Sequence, residues 1–196
     1  MTRPRAYLAA AVALVLATST ACISSHKNPV SAPTTITGSV PPGSPSYAAL
    51  QGALIDAADI SVDKFTQTDV LPVQPQMGAE GISAVYANAG KDRVLSVILL
   101  HFPTVAYAQA GLPEIQSLAA ARLTRNPASD TTVKVGTGAH LYQGADAAGP
   151  LTILVFEEGS YVVSMQYVSK RANDNIPSSL AVSLGTKQDA RVKAIK

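Results

Sequence analysis

Few residues in this chain combine the type and the spacing that chemistry needs. Cys22 is the only cysteine. No intramolecular disulfide can form, so its thiol is left to stay free, to bridge two chains or to carry a lipid. His26, His101 and His140 are the only histidines. His101 ends one expected strand and His140 starts another, so the two could meet on one sheet. A zinc site wants three or four ligands, and no metal site is expected. Glu157 and Glu158 are adjacent, and neighbours on a strand point to opposite faces, so they are not paired for acid–base work. No G-x-S-x-G is present to set a serine on a nucleophile elbow. Gly136-Thr137-Gly138 is not followed by a helix opening on Lys-Ser or Lys-Thr, as a phosphate loop would be. No catalytic residue and no cofactor is expected. Tyr161 and Tyr167 share a strand face by their even spacing, where they serve either a pocket or the packing of the sheet.

Charge narrows the partners. The formal charge of +2 rests on Arg3 and Arg5; past them, basic and acidic residues balance. A nucleic-acid binder needs a basic footprint, and no run of Lys or Arg follows Arg5. The same balance argues against a polybasic membrane-surface patch. The hydrophobic fraction is 47%, with no Trp and three Phe, so a core built from small and branched aliphatics is expected.

The first 21 residues carry a short positive start, an uncharged aliphatic run over residues 6–17 and the small residues Thr18-Ser19-Thr20-Ala21. That is the three-part pattern of a secretory signal. The apolar run is shorter than the roughly 20 residues that a membrane-spanning helix needs. Ser19-Thr20-Ala21-Cys22 resembles the lipobox of bacterial lipoproteins, with Ser19 where that family usually has Leu. The resemblance implies cleavage before Cys22 and a diacylglycerol on its thiol. It places the chain on the outer side of the cell membrane, lipid-anchored. Ser19-x-Ala21 also fits ordinary small-x-small cleavage. Residues 22–46 are rich in Ser, Thr, Pro and Gly with no apolar periodicity, and read as a disordered tether.

The elements that would carry a site lie in residues 47–196, read as a single domain. A helix is expected over residues 47–59, with Ser46 as its N-cap. Residues 62–80, broken by Pro72, Pro75 and Gly78, read as an irregular connection with room for a short strand near 69–73. Strands are expected over 82–87 and 93–101; the second, RVLSVILLH, is aliphatic on both faces, as in the middle of a covered sheet. A helical region is expected from about residue 103 to 125, interrupted at Gly111-Leu112-Pro113. Arg122 and Arg125 would complement its C-terminal dipole. Residues 126–130 read as a loop, and 131–135 and 140–143 as short strands. Residues 151–157 and 161–169 read as a hairpin. A last helix opens at Pro177, with Leu180, Leu184, Val192 and Ile195 on its core face. Short turns between consecutive strands mean antiparallel pairing. The fold class is therefore α+β, an antiparallel sheet packed against helices in two layers.

Two stretches carry a wider resemblance. They are SVILLHFPTVAYAQAGLPEIQSLAAARL (residues 96–123) and LTILVFEEGSYVVSMQYVS (residues 151–169). With the leader, they look like small lipoproteins of mycobacteria and related actinobacteria. They are similar to the sensor-like extracytoplasmic domains found in such lipoproteins and beside some actinobacterial serine/threonine kinases. That resemblance implies a non-catalytic binding, sensor or accessory module with an envelope protein or a small molecule as partner. The alternative is a carrier of a hydrophobic ligand or lipid, with the aliphatic strands lining a cavity.

Overall fold

The computed structural model describes residues 45–60, 64–123 and 125–195. The expected signal peptide, Cys22 and most of the expected tether lie outside the described residues. The element order is α1 (Pro45–Gly52), a 3-10 turn (Ala57–Asp59), β1 (Thr66–Gln76), β2 (Ala79–Ala87), β3 (Arg93–His101), α2 (Val105–Ala121), β4 (Arg125–Thr132), β5 (Thr137–Ala145), β6 (Pro150–Glu158), β7 (Tyr161–Ser169) and α3 (Ser178–Ala194). The strands form one antiparallel sheet in the order β1-β2-β3-β7-β6-β5-β4. Two meanders, β1-β2-β3 and β4-β5-β6-β7, thus join along β3 and β7. The expected α+β class and antiparallel sheet hold, with helices packed on both faces of the sheet.

One face, the α1/α3 face, packs Leu50, Leu54 and Ile55 beside α1, and Ala181, Leu184 and Val192 of α3, against Ile82, Leu99, Leu154, Phe156 and Val163. The other, the α2 face, packs Ala108, Leu112 and Ala119 against Leu100, Tyr142, Ile153, Val155 and Val162. Period-2 alternation along each strand sends successive side chains to these two cores. No helix among the described residues is long and apolar enough to cross a membrane.

Four expectations are corrected. Residues 62–80 are not an irregular connection: most of them form the 11-residue strand β1. Pro72 and Pro75 are compatible with β1 because it is an edge strand, where the ladder needs only the N–H groups aimed at β2, and the pairing is irregular between Val73 and Gln76 around Pro75. The first helix ends at Gly52 rather than continuing to residue 59, and it starts at Pro45, so Ser46 is inside it. Beyond Gly52, the side chain of Gln188 on α3 takes over the backbone groups of the next turn. Its Oε1 accepts from Ile55 N at 2.9 Å and its Nε2 donates to Ala53 O at 2.6 Å. The Tyr86 hydroxyl donates to Ile55 O. Helix α2 runs unbroken through Gly111 and Pro113. Gly111 is there for close approach, since a Cβ would lie 2.9 Å from the Phe102 ring. Pro113 removes only the bond to the Gln109 carbonyl, and both residues are exposed to water. Finally, residues 126–130 are not a loop but belong to the edge strand β4, whose register against β5 slips between Arg125 and Ser129.

Candidate functional site: the uncovered half of the α2 face

The sequence's candidates are scattered by the fold. His101 lies on the α1/α3 face, in register with Glu80 and Tyr161. His140 lies on the α2 face, in register with Val155 and Thr132. The sheet stands between the two histidines. His101 stacks on Tyr161 with ring centroids 4.6 Å apart. Burial holds its pKa below the usual imidazole value, partly opposed by Glu80. The His140 Nδ1 lies 2.7 Å from Asp130 Oδ1. Glu157 is buried, while Glu158 faces Lys193 of α3 at 3.5 Å. Among the described residues, no group of three or more His, Cys, Asp or Glu is placed to hold a metal ion. Tyr161 and Tyr167 do share a face, and both pack into the α1/α3 core with Tyr86. Burial pushes the Tyr86 and Tyr142 hydroxyls up to about 12. Arg122 closes α2, but its guanidinium bonds Gln166 on β7 and Asp146 in the β5–β6 turn rather than serving the dipole alone.

What the fold does assemble is a half-open sheet face. On β3 the residues facing α1/α3 are fully covered, with Leu95 at 2%, Val97 at 0% and Leu99 at 0% exposure. Their neighbours on the α2 face, Val94, Ser96 and Ile98, are only half-buried. Helix α2 sits over β5, β6 and β7 and contacts these three strands. Its rotation is fixed on one side by Gln116, which donates to the Gly138 carbonyl in β5 at 2.7 Å, and on the other by Arg122 on Gln166 of β7. Strands β1, β2 and β3 lie to one side of α2: Ala79 and Leu100 reach its core and Val73 and Ile98 pack at the margin, while Leu71, Val85, Val94 and Ser96 are left half-buried or exposed.

The floor of this surface follows from strand register. Leu71 of β1, Ser83 of β2, Ile98 of β3 and Ser164 of β7 make one row. Asp69, Val85, Ser96 and Gln166 make the next. Leu71 is 48% exposed. Ser83 is recessed between larger neighbours at 3% exposure, and its Oγ has no hydrogen-bond partner among the described residues. Such an orphaned hydroxyl is uncommon in native proteins. One wall belongs to α2. Tyr107, Gly111, Leu118 and Arg122 recur at helical spacings of four and seven, so they share the flank from which Arg122 reaches Gln166 on β7. Tyr107 and Leu118 are 37% and 40% exposed. Three of the five large exposed apolar side chains among the described residues, Leu71, Tyr107 and Leu118, thus border the same surface. It is an apolar shelf carrying a stripe of Ser83, Ser96, Ser164 and Gln166, which suits binding through shape and hydrogen bonds.

Sequence reading missed this surface because it missed β1. Once residues 66–76 are taken as a strand, the alternation Asp69, Leu71, Val73 puts two aliphatic residues on one face. Nothing in the sequence marks Ser83, whose isolation depends on which helix covers which strands.

The fold, though not the sequence, has known counterparts. No protein-family model matches the chain, and no curated protein matches it. Among solved structures, the extracellular domain of PknH from Mycobacterium tuberculosis superimposes with a TM-score of 0.54 at 10% identity, over 74% of this chain and 96% of that one. A GTP binding regulator from Thermotoga maritima matches with a TM-score of 0.41 at 9% identity, over 72% of this chain and 87% of that one. The expected likeness to an extracytoplasmic domain is thus found at the level of the fold.

Proposed function

We propose that the chain is a non-catalytic binding or sensor module, tethered through a lipid on Cys22 to the outer side of the cell membrane, and that the uncovered half of the α2 face is its contact surface. The observation that carries this reading is the contrast along β3, where Leu95, Val97 and Leu99 are sealed while Val94, Ser96 and Ile98 on the opposite face are half-buried, beside the exposed Leu71, Tyr107 and Leu118. Clustered apolar exposure of this kind is characteristic of interaction sites. The leader pattern ending in Ser19-Thr20-Ala21-Cys22 and the fold likeness to an extracellular domain support the location.

The test has two arms. Leu71→Asp places a charge on an exposed edge-strand position and should remove the enhancement of an apolar fluorescent dye without changing the melting temperature. Unchanged dye binding would rule out this surface. Cys22→Ala should move the protein from the membrane to the soluble fraction of the cell, and persistence in the membrane would rule out the lipid anchor. The carrier reading calls for an enclosed apolar space of several hundred Å³. The cavity under α3, lined by Leu95, Leu154, Met165, Tyr167, Ile176 and Leu184 among others, holds about 10 Å³, room for about one water. It gives that reading no support.

A further inference from the structure

The uncovered shelf has the dimensions and charge of a seat for one more helix. Three strands at about 4.8 Å spacing give a width of about 14 Å, and a helix with its side chains is about 10–12 Å across. The opposite face of the sheet shows the complement: α1 contacts β2 and α3 contacts β6, so each half carries a helix. On the α2 face the helix lies over the β5–β7 half, and the other half meets its core at Ala79 and Leu100, with Val73 and Ile98 at the margin.

The borders of the seat are acidic. Asp69 stands on the β1 side, in the row of Val85 and Ser96. Glu114 lies on the same α2 flank as Leu118 and Tyr107, at helical spacings of four and seven. Both carboxylates are exposed, and among the described residues neither has a hydrogen-bond or ion-pair partner. Arg122, which bonds Gln166 at the edge of this surface, is already paired with Asp146. The floor between them is Leu71, Val85, Ile98 and the unpartnered Ser83 hydroxyl.

We infer that this shelf receives an amphipathic helix of a partner protein, with an apolar stripe against Leu71, Ile98 and Leu118 and with Lys or Arg flanking that stripe to meet Asp69 and Glu114. The inference rests on the contact surface proposed above. Helix-in-groove recognition uses i, i+3, i+4 and i+7 anchors on such surfaces, and the two free carboxylates supply register and partner choice more than affinity. An anionic lipid surface is disfavoured by the same two charges.

The experiment uses the full chain with Cys22→Ala, so that no lipid is attached, and two labelled probes of about 14 residues that form amphipathic helices. One is built from Leu and Lys, the other from Leu and Glu. Fluorescence anisotropy should show the Leu/Lys peptide binding and circular dichroism should show it gaining helix. Asp69→Lys together with Glu114→Lys should weaken it about threefold to thirtyfold at low salt and admit the Leu/Glu peptide. The preference should shrink at 0.5 M salt as screening shortens the reach of the charges, roughly to a few ångströms. Equal binding of both probes to the native chain, with Leu71→Asp still abolishing it, would overturn the basic partner while leaving the contact surface in place. Binding unaffected by both Leu71→Asp and Leu118→Asp would remove the surface itself. Failure of the native chain to bind either peptide, or binding only to phosphatidylglycerol vesicles, would also overturn the inference.

Discussion

Replacing Gln188 by Leu tests how the segment after α1 is held. Gln188 is fully buried on α3, and its amide satisfies two backbone groups far away in sequence, Ile55 N–H and Ala53 C=O. Leu matches its size but neither donates nor accepts. Each orphaned buried group costs about 1–3 kcal/mol, so the variant should lose about 2–5 kcal/mol after a small gain in apolar burial. That is a large share of the 5–15 kcal/mol typical of a domain. Urea unfolding followed by far-UV circular dichroism reads it as a lower midpoint with little change in slope. Gln188→Glu sharpens the test. As a carboxylate it accepts from Ile55 N but faces the Ala53 carbonyl with no proton to give. As the neutral acid it can do both. Its folded-state pKa is therefore raised above the ordinary glutamate value of about 4.3. The stability it recovers is fully present below that value and is lost as pH rises through the folded-state pKa. A Leu variant within about 0.5 kcal/mol of the native protein, or a Glu variant with no pH response, would refute the account of how the helix stops at Gly52.

Three further outcomes follow from particular side chains. Tyr86→Phe leaves the Ile55 carbonyl without its donor and should cost about 1–3 kcal/mol, measured by the same unfolding curve. Because burial pushes the Tyr86 and Tyr142 hydroxyls up to about 12, their neutral forms are favoured in the fold. That stability is present below the unfolded tyrosine pKa of about 10 and is lost as pH rises from there toward 12, which alkaline melting and tyrosinate absorbance will follow. Asp174 accepts a bidentate pair from Arg93, with Nε–Oδ2 and Nη2–Oδ1 both at 2.8 Å, and a bond from Ser169 Oγ at 2.6 Å. The Arg93 guanidinium, with help from Ser169, holds its carboxyl below the usual aspartate value. Its contribution is present above the unfolded pKa near 3.8 and disappears as pH falls through the folded value. Asp174→Asn should therefore lose up to about 1 kcal/mol at neutral pH, because the pair is partly solvated, with a shallower acid limb; an unchanged acid limb would count against the pairing.

Much of the frame was legible because local signals agreed with one another. RVLSVILLH is aliphatic on both faces, and β3 is an interior strand flanked by β2 and β7, sealed on its α1/α3 side and half-buried at Val94, Ser96 and Ile98 on the other. The Gly159-Ser160 turn closes β6 on β7 as its residues require. Pro177 precedes α3, and Leu184 and Val192 lie in the core that their spacing assigned them. Where the reading failed, a local signal was overridden from a distance. Prolines argue against strands in general but not at an edge, and no local pattern says that residues 66–76 are an edge. Gly111 and Pro113 read as a break, yet the Phe102 ring beneath Gly111 makes that glycine part of a close contact within one helix.

The sequence by itself carries the leader-like pattern ending at Cys22, the absence of a basic footprint, the balance of charge in the rest of the chain and the α+β class. These depend on composition and on periods of two and 3.6 residues, which any stretch of chain carries locally. Only the tertiary structure decided which strands go without a helix, because coverage is a relation between elements far apart in the chain. Ser83 lies between Leu71 and Ile98 by register, its hydroxyl has no partner among the described residues, and α2 packs chiefly on β5–β7 rather than on its strand. The half-open face, and with it the site, exists in that relation and in no single segment.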